Sequence, residues 1–460
     1  MTETGINDRL VRAVLEKTGE NAYLCYQCIK CSAGCPLAEY FDLTPNQVMR
    51  AVQLGREERV LNSKTIWLCA SCQTCTTRCP QGIDLARIMD ALKSIAQEKG
   101  IKPKVPEVAT FHKVFLRNVN ILGRAYELGL IAEMNLRTGQ PFKDVGMGLE
   151  MITKGKVRIL PSVARPPRQP KRMAQPGEIA YYPGCSLHSL SSELDESTRT
   201  VCDVLGLKVV EPQGWTCCGS SAVHGADPVV ATTLPIQNLA LVEKSGFDEV
   251  MAPCSACLFR FKSALHDLRE EDSLKTQVAN RIHYEYRDSV RVLSVLDLFE
   301  EKVGMDAIAT HVKKPLHGLR VVSYYGCLLT RPPKITGANH VENPRQMDQI
   351  MVALGAEPVD WSYKTECCGG SLSLTRTDLA LALTRKILLA ARALGADAIT
   401  TSCPLCHVNL DARQAQIGLD FQMPVLFISQ FMGLAFGIEP QRLAVHKHMV
   451  SVKPVLDKIG

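Results

Sequence analysis

"TECCGGSLSLT" occupies residues 365 to 375 and "WTCCGSSAVHG" residues 215 to 225, so one chain twice sets adjacent cysteines before a glycine. The sequence around each pair repeats as well. "IAYYPGC", ending at Cys185, matches "VVSYYGC", ending at Cys327; "GFDEVMAPCSAC" matches "GADAITTSCPLC"; "VLSVLDLF" near 292 has its counterpart in "VLFISQFM" near 425. Each block is a short β-branched or apolar run that stops at a cysteine. Helical stretches such as "TDLALALTRKILLAARALG" fall between the blocks. The pattern predicts two duplicated α/β domains. Ligands in such sheets collect beyond the carboxyl ends of the strands, where both sets of thiols would converge.

Each half supplies five thiols: Cys185, Cys217, Cys218, Cys254 and Cys257, then Cys327, Cys367, Cys368, Cys403 and Cys406. A cubane takes one terminal thiolate per iron and tetrahedral zinc takes four ligands in all. A fifth cysteine at both sites therefore points to a thiolate bridging irons in an opened cluster. Adjacent side chains diverge in extended backbone, which lets Cys217 and Cys218 reach two irons. Gly184 and Gly326, before the first cysteine of each half, and Gly219, Gly369 and Gly370 behind the pairs let the chain turn tightly against such a cluster.

The first hundred residues carry a different signal. Cys25, Cys28, Cys31 and Cys35 fit C-x2-C-x2-C-x3-C before Pro36, and Cys69, Cys72, Cys75 and Cys79 repeat that spacing before Pro80. Three closely spaced thiolates wrap one 4Fe-4S cubane while the fourth ligates the other cluster. Cluster one is thus expected on Cys25, Cys28, Cys31 and Cys79, and cluster two on Cys69, Cys72, Cys75 and Cys35. Zinc is the weaker alternative, because its motifs come as separated C-x2-C pairs. Between the motifs, "LTPNQVMRAVQLG" offers Thr44 as N-cap, Pro45 at the first helical position, Gln47 to complete a capping box and Gly55 as a stop. This is the helical ferredoxin type, and "LARIMDALKSIAQEKG" and the segment to about residue 160 also read mainly as helix.

Composition sets the frame. A length of 460 residues favours several domains, and 46% hydrophobic with 22% charged residues is ordinary for a globular chain. No stretch approaches the roughly 18 uninterrupted apolar residues of a membrane span. The start, with acidic residues and a helical repeat of Ile6, Leu10, Val11 and Val14, predicts no export signal. Without export, 19 cysteines argue for metal-bound thiolates over disulfides. The net charge of +6 has its clearest concentration in "RPPRQPKR" at 165 to 172, an extended, solvated tether in preference to a nucleic-acid patch.

The patterns C-x31-CC-x35-C-x2-C from Cys185 and C-x39-CC-x34-C-x2-C from Cys327, with "YYGCLLTRP" and "CPLCHVNLD", resemble the paired CCG domain of the heterodisulfide reductase B subunit. The N-terminal third resembles the C subunit, so the chain resembles the fused D-type arrangement. The resemblance implies two noncubane 4Fe-4S clusters on the ten CCG cysteines, beside the two cubanes, and reductive cleavage of a small-molecule or protein disulfide between them. One-electron steps would capture each substrate sulfur on iron before it leaves as a thiol. There is no Walker A loop and no strand-linked G-x-G-x-x-G, so no flavin or nicotinamide is expected on this chain. Electrons would come from a flavin-containing A-type subunit or a membrane cytochrome, within a hetero-oligomeric complex that binds no nucleic acid. The expected location is the cytoplasm, or the inner face of the membrane through a partner. The alternative is an iron–sulfur relay like the subunits of glycolate or glycerol-3-phosphate dehydrogenases, with no disulfide chemistry; two intact five-cysteine sets weigh against it.

The expected domains are a two-cluster ferredoxin at 1–100, a helical extension at 101–164, a Pro/Arg-rich linker at 165–177, and CCG domains at 178–312 and 313–460. His188, His224 and His407 lie near cluster cysteines and could deliver protons. Each reads first as a packing or hydrogen-bonding side chain. Cys202, in "ESTRTVCDVLGL", reads as a small buried hydrophobe. "VLFISQFMGLAFG" reads as a buried strand and helix.

Overall fold

The computed structural model describes residues 9–220, 222–225 and 228–460. Ile6, of the first helical repeat, and the side chain of His224 lie outside the described residues. The architecture is a helical N-terminal ferredoxin-like region followed by two α/β domains with parallel sheets.

The first sheet contains β1 (Glu178–Tyr181), β2 (Lys208–Val210), β3 (Glu249–Met251) and β4 (Arg291–Leu293), in the order β2-β1-β3-β4. The second contains β5 (Arg320–Tyr324), β6 (Glu357–Pro358), β7 (Ala398–Thr401) and β8 (Val425–Phe427), in the order β6-β5-β7-β8. All pairings are parallel, with Ala180 opposite Val250 in one sheet and Val321 opposite Ala398 in the other. Parallel strands need helical crossovers, and these cover both faces, which explains why the strands read as apolar runs instead of alternating ones. Helix Thr377–Ala393 is one such crossover.

In the N-terminal region Thr44 accepts its expected role. Its backbone amide donates to Gln47 Oε1 at 3.0 Å at the start of helix Pro45–Gln53, and Gly55 turns out at φ +62°. Helix Leu85–Glu98 closes this region. Three further helices follow, Pro106–Leu122, Glu127–Arg137 and Val145–Thr153. The helical reading to about residue 160 overshoots. Gly155 takes φ +67°, which ends the last helix, and the chain runs irregularly to β1.

The two α/β domains are joined by packing of helix Ser192–Val204 on helix Ile428–Ala435, with Ser197 Oγ 2.7 Å from Ser429 Oγ. "VLFISQFMGLAFG" supplies the second of these helices and is buried, and Cys202 lies fully buried on the first. Beside this joint, Lys156 from the irregular segment pairs with Glu193 of the first domain, both side chains excluded from solvent. His407 Nδ1 of the second domain lies 3.7 Å from the same carboxylate. A buried charge left without its partner is expensive. Lys156→Ala is therefore expected to destabilise the chain by about 3 kcal/mol in chemical unfolding, and the paired change Lys156→Met with Glu193→Leu to recover most of it.

Candidate metal centres

The first two thiol groups sit where the backbone is bent around them. Gln27 and Ile29 flank Cys28 with φ of 63° and 66°, and Ser71 and Gln73 flank Cys72 with φ of 49° and 63°. Left-handed backbone at non-glycine positions persists only where its surroundings enforce it. The same pair of positions is strained in both motifs, which curls three thiols around one point. Burial pushes the Cys35 thiol above the ordinary range, and Cys72, Cys69 and Cys31 are the thiols that face it. Cys75 is raised by burial and then by Cys69, Cys72 and Cys35. The fourth cysteine of the first motif thus lies among the first three of the second. Tyr26 in turn feels both Cys28 and Cys79.

In the α/β domains the ten cysteines that recur in both repeats follow strand carboxyl ends, while Cys202 lies within a helix. Cys185 and Cys327 follow β1 and β5, the adjacent pairs follow β2 and β6, and the C-x2-C pairs follow β3 and β7. Two devices fix these loops, and both occur in both repeats. Tyr182, three residues before Cys185, donates its hydroxyl to the Thr216 carbonyl at 2.6 Å; Tyr324, three before Cys327, donates to the Glu366 carbonyl at 2.6 Å. Each clamp holds the residue just before an adjacent cysteine pair. Gly184 and Gly326 take φ +68° and +69°, and a Cβ there would stand 3.0 Å from Cys257 Sγ and 2.8 Å from Cys406 Sγ. The glycines keep the cradle open.

Sulfur atoms then come close. Cys218 and Cys257 are 3.2 Å apart and Cys368 and Cys406 are 3.6 Å apart. The Gly219 amide points at Cys217 Sγ at 3.4 Å and the Gly369 amide at Cys367 Sγ at 3.3 Å. Amide donors favour thiolates. Crowded, buried thiols would repel one another once ionised, and a multivalent cation between them removes that cost. The donor set and the open cradle fit an iron–sulfur cluster.

The two groups are neighbours. A cavity of about 170 Å³ is walled by Cys185, Cys217, Cys218, Cys254 and Cys257 on one side and by Gly370, Ser371, Pro404 and Leu405 of the second domain on the other. A smaller one of about 70 Å³ is walled by Cys327, Cys367, Cys368, Cys403 and Cys406, and by Ser220, Ser255 and Ala256 of the first domain. Ser220, Gly370, Ser371 and Leu405 line both cavities. The N-terminal region abuts the second group. A hydrogen bond from Cys367 is the main influence that lowers Cys72 to about 6, while Cys367, bonded to Cys327 and to Cys72, is held well above the usual thiol range. Arg331 ties the contact, donating to Thr74 Oγ1 and Thr365 Oγ1 at 2.7 Å each.

The histidines do not converge on the cavities in the same way. His407 is fully buried, with Nε2 3.0 Å from the Val425 carbonyl, which can only accept from it, and 3.1 Å from His448 Nδ1, and it stacks on Phe427. Burial holds it well below the ordinary imidazole value. It is a core residue. His188 lies 3.3 Å from Glu211 and edge-on to Trp215, beside Cys185 in a small outer pocket. The residue that sequence reading missed is Glu127. It lines both this outer pocket and the larger cavity, and its Oε2 is buried with no hydrogen-bond partner among the described residues. Nothing in "RAYELGL" marks it, because its position depends on how the helical extension folds over the first α/β domain. The tyrosine clamps were missed as well, and the signal that could have found them is their shared offset from the first cysteine of each repeat.

Comparison with known proteins agrees with this layout. Residues 179–262 and 321–411 match the cysteine-rich (CCG) domain family, and residues 24–84 match the 4Fe-4S dicluster domain family. The chain is 32% identical over 279 residues to the 8-methylmenaquinol:fumarate reductase membrane anchor subunit of Wolinella succinogenes, covering 59% of this chain and 97% of that one. It is 26% identical over 292 residues to the B subunit of the ferredoxin/F(420)H(2)-dependent CoB-CoM heterodisulfide reductase of Methanosarcina acetivorans, covering 61% and 97%. A probable glycolate oxidase iron–sulfur subunit of Bacillus subtilis is 21% identical over 433 residues, covering 90% and 94%. The chain therefore belongs to the heterodisulfide reductase-like iron–sulfur proteins, with a C-like dicluster region fused to a B-like pair of CCG domains. No described helix is long and apolar enough to cross a membrane.

Two outcomes follow from the geometry. Gly326→Ala forces a Cβ into the Cys406 sulfur and strains a left-handed turn, so the variant should lose about one cluster's iron while its visible absorption from the N-terminal motifs persists. Burial pushes the Glu127 carboxyl from 4.5 up to about 7, against hydrogen bonds from Ser189 and the Leu190 amide. A raised carboxyl holds a proton that the unfolded chain releases, so its cost to stability grows between those two values and is complete above them. Glu127→Gln should therefore gain stability over wild type by about 3 kcal/mol at pH 8 and by little at pH 4, read by thermal unfolding.

Proposed function

We propose that this chain is the catalytic iron–sulfur subunit of a disulfide-reducing complex. In this reading Cys25, Cys28, Cys31 and Cys79 hold one 4Fe-4S cubane, and Cys69, Cys72, Cys75 and Cys35 hold a second. Cys185, Cys217, Cys218, Cys254 and Cys257 hold one noncubane 4Fe-4S cluster, and Cys327, Cys367, Cys368, Cys403 and Cys406 the other. When bound, such clusters supply single electrons and iron able to bind sulfur. The balanced reaction is R–S–S–R′ plus two electrons and two protons to RSH and R′SH.

The observation that carries this reading is the shared wall. The loops after β2 and β6 line both cavities, so the two thiol groups address one substrate from opposite sides. Holding both halves of a breaking bond between two one-electron sites keeps radical character off free sulfur. The contact of Cys72 with Cys367 supports delivery of electrons to the second CCG site first. Entry fits the opposite end of the dicluster region, where Cys28 is exposed among the exposed apolar side chains of Tyr23, Leu24, Tyr26 and Ile29. Such a patch around a redox centre suits a transient protein donor. That donor is a flavin-bearing subunit or a cytochrome, within a hetero-oligomeric complex.

A second reading, electron relay without disulfide chemistry, is favoured by the full-length likeness to a glycolate oxidase-type iron–sulfur subunit. The two are separated by an anaerobic experiment on the full chain. About sixteen irons per chain and little zinc are expected from four four-iron clusters. Titration of the reduced protein with organic disulfides should then release thiols and generate a new paramagnetic signal. Full iron content with neither response to any disulfide would leave the relay.

A further inference from the structure

The two cavities are not alike, although the repeats that build them are. The smaller one is backed by the dicluster region through Trp67 and Lys93, with Arg260 of the first CCG domain and Val108 and His112 of the first extension helix also in its wall. The larger one is roofed by the three helices of the extension, which have no counterpart on the second domain. Phe111 and Phe115, Leu130 and Ile131, and Met147 and Met151 enter its wall from these three helices in turn. Phe111, Phe115 and Leu130 pack in one cluster with Cys217. The apolar surface therefore begins at the thiols themselves.

Apart from the five cysteines assigned to the cluster, charge is scarce here. Among the described residues the charged side chains of this wall are Arg413 and Glu127. Arg413 is buried and fully engaged. Its Nε donates to Ser373 Oγ at 2.8 Å, Nη1 to Gln416 Oε1 at 2.7 Å and Asp144 Oδ1 at 3.4 Å, and Nη2 to the Ser373 carbonyl at 2.9 Å and Asp144 Oδ2 at 3.2 Å. No guanidinium donor remains for a substrate anion. Glu127 repels one when ionised; burial pushes its carboxyl up to about 7, so it is about half protonated at neutral pH and carries no positive charge in either form. An anion taken into such a wall loses its water without gaining a cation, whereas an alkyl arm gains by leaving water.

We propose that the cavity of the first CCG domain receives an uncharged, apolar arm of the disulfide and discriminates against arms bearing carboxylate, sulfonate or phosphate. The proposal rests on the disulfide-reducing reading for its chemistry and on the cavity alone for its selectivity. Anaerobic equilibrium dialysis of the cluster-loaded full chain compares dipropyl disulfide with 3,3′-dithiodipropionate, which differ in the two carboxylates at the ends of equal spacers. Dipropyl disulfide should bind at least tenfold more tightly, and Ile131→Asp should weaken it at least fivefold. Equal affinities, tighter binding of the dianion, no binding of either at millimolar concentration, or an unaffected Ile131→Asp variant would overturn the assignment. Reduction with a viologen donor is read separately. Binding of dipropyl disulfide without release of propanethiol would sink the disulfide-reducing reading and leave the cavity assignment standing; equal or faster reduction of the dianion would do the reverse.

Discussion

The structure depends on one constraint, that parallel strands deliver their following loops to a single end of the sheet. Each repeat carries its cysteines just past the carboxyl ends of three strands, so five thiols from segments far apart in sequence reach one place. Duplication alone would give two such places on separate surfaces. The joint between helices Ser192–Val204 and Ile428–Ala435 turns the two sheet ends toward each other, and the buried Lys156–Glu193 pair locks the irregular segment into that joint. The two groups of five thiols share cavity walls because of this packing.

Near-symmetry in the repeats makes the asymmetry around them informative. The tyrosine clamps, the positive-φ glycines and the amides aimed at sulfur occur at matching offsets in both halves. What differs is the neighbour. The second site touches the dicluster region through Cys72 and Arg331, while the first is enclosed by the helical extension. The two halves of the duplicated scaffold thus meet different surroundings, the dicluster region on one side and the helical extension on the other. Leu372, Leu379 and Leu383 of the second domain share a core with the dicluster region, which makes that contact a packed interface and not a passing touch.

The sequence by itself determined the elements and the chemistry of the thiols. Spacing within C-x2-C-x2-C-x3-C, the repeated pair before glycine and the capping box at Thr44 are local signals, set by backbone geometry over a few residues. The apolar runs ending in cysteine were enough to expect a parallel sheet, because a strand buried on both faces has no alternation to show. Local signals failed where an outcome depended on distant packing. The helical reading ran past Gly155, and Glu127 gave no sign of lining a cavity. Only the tertiary structure decided that Cys72 meets Cys367, that the two thiol groups share walls, and that His407 turns into the core. The first two are contacts between residues hundreds of positions or whole domains apart, and the third is set by residues 18 and 41 positions away; all are fixed by which faces bury each other, and no short stretch of sequence encodes that choice.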